Sequence, residues 1–520
     1  MAARQAFLHK EGIMNRLGHL FTVGLVMSIV VSCSSGGGGA APAPGKAWHH
    51  PASLSDNISP DGSTAMVPRA AADASGAALV VWSQNDGSFF RAYKSEFRNG
   101  VWSHPTSTAE RFDPGGAHVN GHQAVMDDNG NTVIVWVQDQ LGIYKSEYRN
   151  GVWTHPTSSL DRVNNNSTTG ATAPRVAMDN SGNAIIVWQQ SDGSKQQIYM
   201  REYRGGNWSA VPALTTRFSP TGQDAYNAQV AMDNNGNAII VWEQNDGTFG
   251  TTFSQIYKRE YRGGNWAAVP ALTSRVSPTG EHAYWPQVEM DDLGNAVIAW
   301  MQYYVTSTAC GFMGFAGPCS AVFMSEYRDS IWTSPTSTAQ HISPTANNTT
   351  TSVPSVAMDG NGNAIIAWAQ SDGVSQCTTG PAMWSPCTNI FKSEYRSGVW
   401  SHPTTTAQFI NPSGAGITAS SPQVRMNATG DAIIGWRGNA SSSNDCMGSS
   451  MPCSQIYKSE YRNSAWIHPS SLADNISPDG QEANLGGVAL SNNGNAFIVW
   501  GQQDGAVPQS YSQIFMSEYR

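Results

Sequence analysis

Between Val230 and Trp266 (VAMDNNGNAIIVWEQNDGTFGTTFSQIYKREYRGGNW) the rhythm of apolar and polar positions changes from segment to segment. Val230-Ala231-Met232-Asp233 reads as a short apolar strand, and Asn234-Asn235-Gly236-Asn237 supplies the chemistry of a tight reversal. Ala238 to Gln244 is almost continuously apolar, the signature of a strand covered on both faces. Asp246-Gly247 opens a longer loop. Gln255 to Arg262 alternates, with Tyr257, Arg259 and Tyr261 on one face and Ile256, Lys258, Glu260 and Arg262 on the other. Gly263-Gly264 predicts a two-residue hairpin turn of the primed type, which places Tyr261 opposite Trp266. Asn99-Gly100 and Asn150-Gly151 repeat that turn with a stronger signal.

The stretch recurs eight times, anchored on Trp82, Trp136, Trp188, Trp242, Trp300, Trp368, Trp436 and Trp500; subtraction gives spacings of 54, 52, 54, 58, 68, 68 and 64 residues. Four antiparallel strands repeated at this period predict an all-β fold, an eight-bladed β-propeller of four-stranded antiparallel blades over residues 46–520. The last copy stops at Glu518-Tyr519-Arg520, before its turn and fourth strand. Trp48-His49-His50-Pro51 and the Ser55 to Gly62 segment nearly duplicate Trp466-Ile467-His468-Pro469 and Ala473 to Gly480. An N-terminal strand is therefore expected to complete the last blade, which resembles the clasp of WD40-type propellers. The WD40 signature is absent, so that resemblance covers architecture only.

Only 13% of the residues are charged and the formal net charge is −9. No basic stripe is visible, so nucleic acid is not an expected partner. Leu20 to Val31 is an apolar run too short to span a bilayer as a mature helix, but it suits a signal h-region, with Arg16 before it and Met14 as an alternative start. Val30-Val31-Ser32-Cys33 resembles the lipobox of bacterial lipoproteins. The resemblance implies a signal peptide over 1–32, lipidation of Cys33, and membrane attachment through that anchor alone. Ser34 implies an outer-membrane address in the cell envelope, and residues 33–45 read as a flexible tether. A monomer is expected.

Seven cysteines are then one lipid site plus six, and the six fall as local pairs: Cys310 with Cys319, Cys377 with Cys387, Cys446 with Cys453. Each pair lies between the second and third strands of its repeat. Three disulfides in an oxidising compartment are the natural reading. Each loop closure constrains the unfolded chain by roughly 2–3 kcal/mol in the entropy model. Metal ligation lacks the CxxC spacing and histidine partners, so no metal and no cofactor are expected.

Propeller geometry places the short 1–2 and 3–4 turns on one face, and the variable 2–3 loops and blade links on the other. Function is expected on the variable face. There the tips of the stapled loops carry Phe312, Met313, Phe315 and Trp384, a candidate partner surface unless they pack on the ring. Arg111, Arg162, Arg217 and Arg275 recur in four consecutive links. They either bind the carboxylate or sulfate of an acidic glycan or pair with neighbouring Asp and carbonyl groups. Tyr226, His282, Tyr284 and Trp285 follow in two of those links and are suited to stack on sugar rings.

Other recurrences read as structural. The Asp-x-x-Gly-Asn turns at Asp179, Asp233, Asp291 and Asp359 lack EF-hand spacing. The Gln-x-Asp-Gly stretches at Gln84, Gln190, Gln244, Gln370 and Gln502 are assigned to turn chemistry. Lys-x-Glu-x-Arg reads as a charge ladder. His104, His155, His402 and His468 repeat, which argues against catalysis. No hydrolase elbow, HExxH, Walker loop or dinucleotide fingerprint is present, and no catalytic residue is assigned. Sialidases share an arginine cluster on a propeller, but Arg-Asn-Gly-Val-Trp departs from their Asp-box. The expectation is an exported binding module for a protein or glycan. A glycoside hydrolase or polysaccharide lyase on the same face is the alternative. An envelope assembly scaffold, similar in architecture to the propeller lipoprotein of outer-membrane barrel assembly, is a third.

Overall fold

The computed structural model describes residues 45–520, apart from 140–141, 166–168, 249–251, 306–318, 345–348, 381–382, 414–416, 440–452 and 506–509. The expected signal segment 1–32, Cys33 and the expected tether up to residue 44 lie outside the described residues. So do Cys310, Phe312, Met313, Phe315 and Cys446, and the side chains of Cys377 and Trp384.

Lys46–Arg520 forms one unit of eight four-stranded antiparallel sheets, the eight blades of a propeller. In the fourth blade the strands are Ala225–Met232, Ala238–Asn245, Ser254–Arg262 and Asn265–Trp266. Tyr261 pairs with Trp266 across the turn, where Gly263 and Gly264 both take the positive φ that a primed turn requires. In the eighth blade Trp48–His49 adds to Ser512–Tyr519, with Trp48 opposite Tyr519. The N-terminal strand thus closes the ring.

The first strand of every blade faces a central cavity of about 690 Å³. These strands begin earlier than their apolar pattern suggests, because most carry a β-bulge that hides the start. Pairing slips between Tyr226 and Gln229 and between Tyr284 and Gln287. Asn227 and Trp285 sit there at φ 53°. A bulge inserts an extra residue and breaks the period-two alternation.

The second strands form the core. Ala238, Ile239, Ile240, Val241 and Trp242 are fully buried, as is each anchor tryptophan. Trp242 stacks on Tyr257 at 6.1 Å. Its indole N–H donates to Gln244 Oε1 at 3.0 Å, and Gln244 Nε2 donates onward to Pro220 O at 2.8 Å. The glutamine two residues after the tryptophan is therefore a latch from core to blade link, repeated at Gln84, Gln190, Gln302, Gln370 and Gln502. The turn itself belongs to the aspartate: Asp246 Oδ1 accepts the N–H of Thr248 at 3.0 Å. In the seventh blade Gly438 replaces the glutamine, and Trp436 Nε1 is buried without a hydrogen-bond partner among the described residues.

The Lys-x-Glu-x-Arg face holds neighbouring blades together as well as pairing within its own strand. Glu96 accepts the indole N–H of Trp153 in the next blade at 2.9 Å, and Glu260, Glu326, Glu394 and Glu518 do the same for Trp332, Trp400, Trp466 and Trp102. The strand's last arginine lies over an aromatic ring of the following blade. Arg98 sits 3.9 Å from the Tyr148 centroid, and Arg520 sits 5.1 Å from Phe97, across the seam. Desolvated cation–π contacts contribute about 1–2 kcal/mol each.

Asp233 spends its carboxylate on its own turn, accepting from Asn235 N, Asn237 N and Asn237 Nδ2 at 2.7–3.0 Å. His155 lies flat on Trp153 at 5.4 Å and contacts Ser146 Oγ through Nδ1 at 2.9 Å. Burial holds its imidazole down to about 4, so it is neutral at physiological pH. Repetition of both groups follows from blade packing.

Candidate functional site

The bulged strand starts and the ends of the second strands meet at the cavity mouth on the variable-loop face. The residue after each anchor tryptophan stands near these strand ends, and it differs in every blade: Ser83, Val137, Gln189, Glu243, Met301, Ala369, Arg437 and Gly501. Glu243 is the only carboxylate in that set. It is 7% exposed and pairs across the sheet with Tyr226. Its Oε2 accepts the backbone N–H of Trp285 and its Oε1 accepts Asn227 Nδ2, both at 2.9 Å. Burial raises the Glu243 carboxyl above its usual range, and the two hydrogen bonds pull the other way. One side chain thus bridges blades four and five.

Around it the structure gathers several of the expected aromatic groups. Trp285 is 42% exposed and Tyr226 is 36% exposed. Tyr284 stacks on His282 at 5.5 Å with an interplanar angle of 7°, and meets Trp285 at 5.8 Å. Tyr303 stands edge-on to both Tyr284 and His282, and Phe253 is edge-on to His282. His282 Nδ1 accepts the N–H of Ser254 at 3.1 Å. Burial pushes the Tyr284 phenol up to about 12, so it stays protonated. The result is a fixed aromatic shelf on which Trp285 is the most exposed ring. Sequence inspection missed Glu243, Phe253 and Tyr303; comparing the position after the tryptophan across repeats would have singled out Glu243.

The arginines of the four links each face a carboxylate: Arg111 with Asp113 at 3.9 Å, Arg162 with Asp139 at 2.7 Å, Arg217 with Asp192 at 2.5 Å and Arg275 with Asp246 at 3.6 Å. Each lies beside a loop of its own blade, so the four do not converge on one point. Any anion there competes with an existing partner.

Below the mouth, Arg69, Arg175, Arg425 and Glu289 face the cavity. Burial pushes the Glu289 carboxyl up to about 7, with Arg425 opposing. A free glutamate titrates near 4.5, so the folded chain keeps a proton that the unfolded chain has already released. Stability contributed by this group is fully present below pH 4.5 and is lost as pH rises through 7, by about 3 kcal/mol at most. Glu289→Gln is therefore expected to raise the melting temperature at pH 8 and leave it unchanged at pH 4. Equal shifts at both pH values in a calorimetric scan would refute this origin.

No protein-family model matches the chain, and no curated protein is similar to it in sequence. Solved structures similar in fold include a polysaccharide lyase, the PL25 ulvan lyase, at 11% identity, covering 78% of this chain and 94% of that one, with a TM-score of 0.45. The alpha-L-arabinanase of Penicillium chrysogenum is 14% identical over 62% of this chain and 94% of that one, with a TM-score of 0.32. A protein of unknown function from Dyadobacter fermentans is 10% identical over 69% and 96%, with a TM-score of 0.33.

Proposed function

We propose that this chain is an exported, lipid-anchored β-propeller that binds a glycan at the Tyr226–Tyr284–Trp285 shelf on its variable-loop face. The observation that carries the reading is Trp285 itself. A large indole is held out in solvent by a left-handed backbone, and that backbone is tied to Glu243 by its own N–H. At the matching position the other blades carry Val67, Gly121, Ala173, Asn227, Val353, Ser421 and Leu485. A non-glycine residue at positive φ is strained by about 1 kcal/mol or more, a cost borne here by the surrounding contacts. An exposed, pre-ordered aromatic face suits the apolar face of a sugar ring, and the Glu243 carboxylate beside it keeps lone pairs to accept hydroxyl hydrogen bonds. Pre-ordering reduces the entropy lost on binding.

Export and anchoring rest on the Val30-Val31-Ser32-Cys33 resemblance. Three loop disulfides belong to the same reading. Their support is that Cys319, Cys387 and Cys453 are buried where the variable loops rejoin the third strands.

The test is a glycan array with the fragment from Lys46 onward, alongside Trp285→Ala and Tyr226→Ala. Loss of the aromatic anchor is expected to weaken binding tenfold or more. An unchanged hit pattern in Trp285→Ala would remove this site. A second reading, a hydrolase or lyase at the same place, is favoured by the desolvated Glu243. Glu243→Gln would then abolish turnover of the bound sugar while leaving retention intact.

A further inference from the structure

We propose that the axial cavity is a binding site for a small oxyanion, sulfate or phosphate, held by Arg69, Arg175 and Arg425. Ion pairing sets these three residues apart. Among the described residues, fourteen other arginines each face a carboxylate within 4.0 Å. Arg201 and Arg259, which do not, lie over Trp208 and Phe218. Arg69, Arg175 and Arg425 have neither kind of partner among the described residues. They come from the first, third and seventh blades, along one half of the ring, and all line the same 690 Å³ space.

Their hydrogen bonds leave the charge unanswered. Arg69 Nη1 donates to Pro68 O at 2.9 Å and Gly486 O at 2.7 Å. Arg175 Nη1 donates to Pro174 O at 2.9 Å, and its Nε donates to Gln229 Oε1 at 3.2 Å. Arg425 Nη1 donates to Val424 O at 2.8 Å. These acceptors are neutral: backbone carbonyls of the first strands and the Gln229 side-chain amide. They orient each guanidinium and leave its Nη2 without a hydrogen bond among the described residues. Burial and mutual repulsion weaken the hold of Arg69 on its proton, which falls to about 10. Arg175 is likewise desolvated, and buried charges of this kind are normally compensated by a counter-ion. Glu289 on the fifth blade cannot serve all three, and its carboxyl is itself held partly protonated at neutral pH.

Carboxylates also mark one end of the lumen. On the opposite face the 1–2 turns are laced together from blade to blade. Asn180 bonds Asp128 and Asn234, Asn234 bonds Asp292, and Asn492 reaches Asp128 at 3.4 Å. Asp128 and Asp292 disfavour an anion at that end. A guanidinium fork matches two oxyanion oxygens, and the open lumen has room for a hydrated ion.

The test is thermal melting of the Lys46–Arg520 unit at pH 8 in rising sodium sulfate, against sodium chloride at equal ionic strength, with anomalous diffraction from crystals soaked in selenate. Sulfate alone is expected to raise the melting temperature saturably, by linkage, and selenate to appear beside Arg175 and Arg425. Arg175→Gln with Arg425→Gln should weaken binding more than tenfold. Glu289→Gln removes a repelling carboxylate and should tighten binding severalfold at pH 8, so the idea stays testable if the arginine variant fails to fold. An equal rise in chloride, selenate outside the lumen, or an affinity indifferent to Glu289→Gln would each overturn it. The proposal stands apart from the glycan reading.

Discussion

Trp242→Ala is expected to destabilise the ring by about 3–5 kcal/mol, the usual cost of emptying a fully buried indole site. The sharper result comes from the milder change. Trp242→Phe keeps an aromatic body against Tyr257 but removes the N–H that satisfies Gln244 Oε1. A buried acceptor left alone costs about 1–3 kcal/mol, and the latch to Pro220 O loosens with it. In the seventh blade the indole N–H of Trp436 is already an orphan, because Gly438 stands where the latch glutamine should be. Trp436→Phe therefore trades ring volume against relief of an unsatisfied donor. It is expected to cost at least about 1 kcal/mol less than Trp242→Phe. Differential scanning calorimetry of the two variants checks this, and equal melting temperatures would show that the glutamine latch contributes nothing.

The same glutamine shows what the chain made legible and what it did not. Recurrence of Trp, of Asn-Gly turns and of a near-copy at both ends was enough to specify eight four-stranded blades and their closure, since each is a local or periodic signal. Gln244 was visible as a repeat, yet its role depends on Pro220, which a linear reading cannot place beside it. Glu260 looked like a rung of a charge ladder because its strand partners Lys258 and Arg262 are in view. Its bond to the Trp332 indole of the next blade is not. The bulge at Trp285 was hidden for a different reason: a residue at positive φ has no compositional mark unless it is glycine. Tyr226, His282, Tyr284 and Trp285 could be chosen by type, but Glu243, which ties the shelf together, emerged only when the strands were registered.

Trp48→Ala is expected to damage the ring more than Trp466→Ala, although the two side chains make nearly the same contacts. The Trp48 indole donates to Glu460 at 3.0 Å and stacks on His50 at 5.6 Å, with Lys458 Nζ 4.4 Å from its centroid. The Trp466 indole donates to Glu394 at 2.7 Å and stacks on His468 at 5.4 Å, with Lys392 Nζ at 4.7 Å. Locally, either loss removes about 2–4 kcal/mol: one hydrogen bond to a charged group and one cation–π contact, plus buried ring area. The difference is connectivity. Ala465–Ile467 is joined to its partner strand by a two-residue turn, so it re-docks after every opening. Trp48–His49 reaches Ser512–Tyr519 only through non-covalent pairing, including the exchanged backbone bonds of Ala47 and Arg520. When that pairing fails, Ser512–Tyr519 becomes an open sheet edge, a template for another chain. Trp48→Ala should therefore lower the melting temperature further than Trp466→Ala and promote concentration-dependent association near the transition, readable by light scattering. A synthetic peptide spanning residues 45–57, added in excess, should suppress that association by refilling the edge. Equal melting temperatures in the two variants, with no effect of the peptide, would mean that the closing strand is not the weak seam. The arginine and glutamate contacts of the last blade with Phe97 and Trp102 would then hold the ring shut on their own.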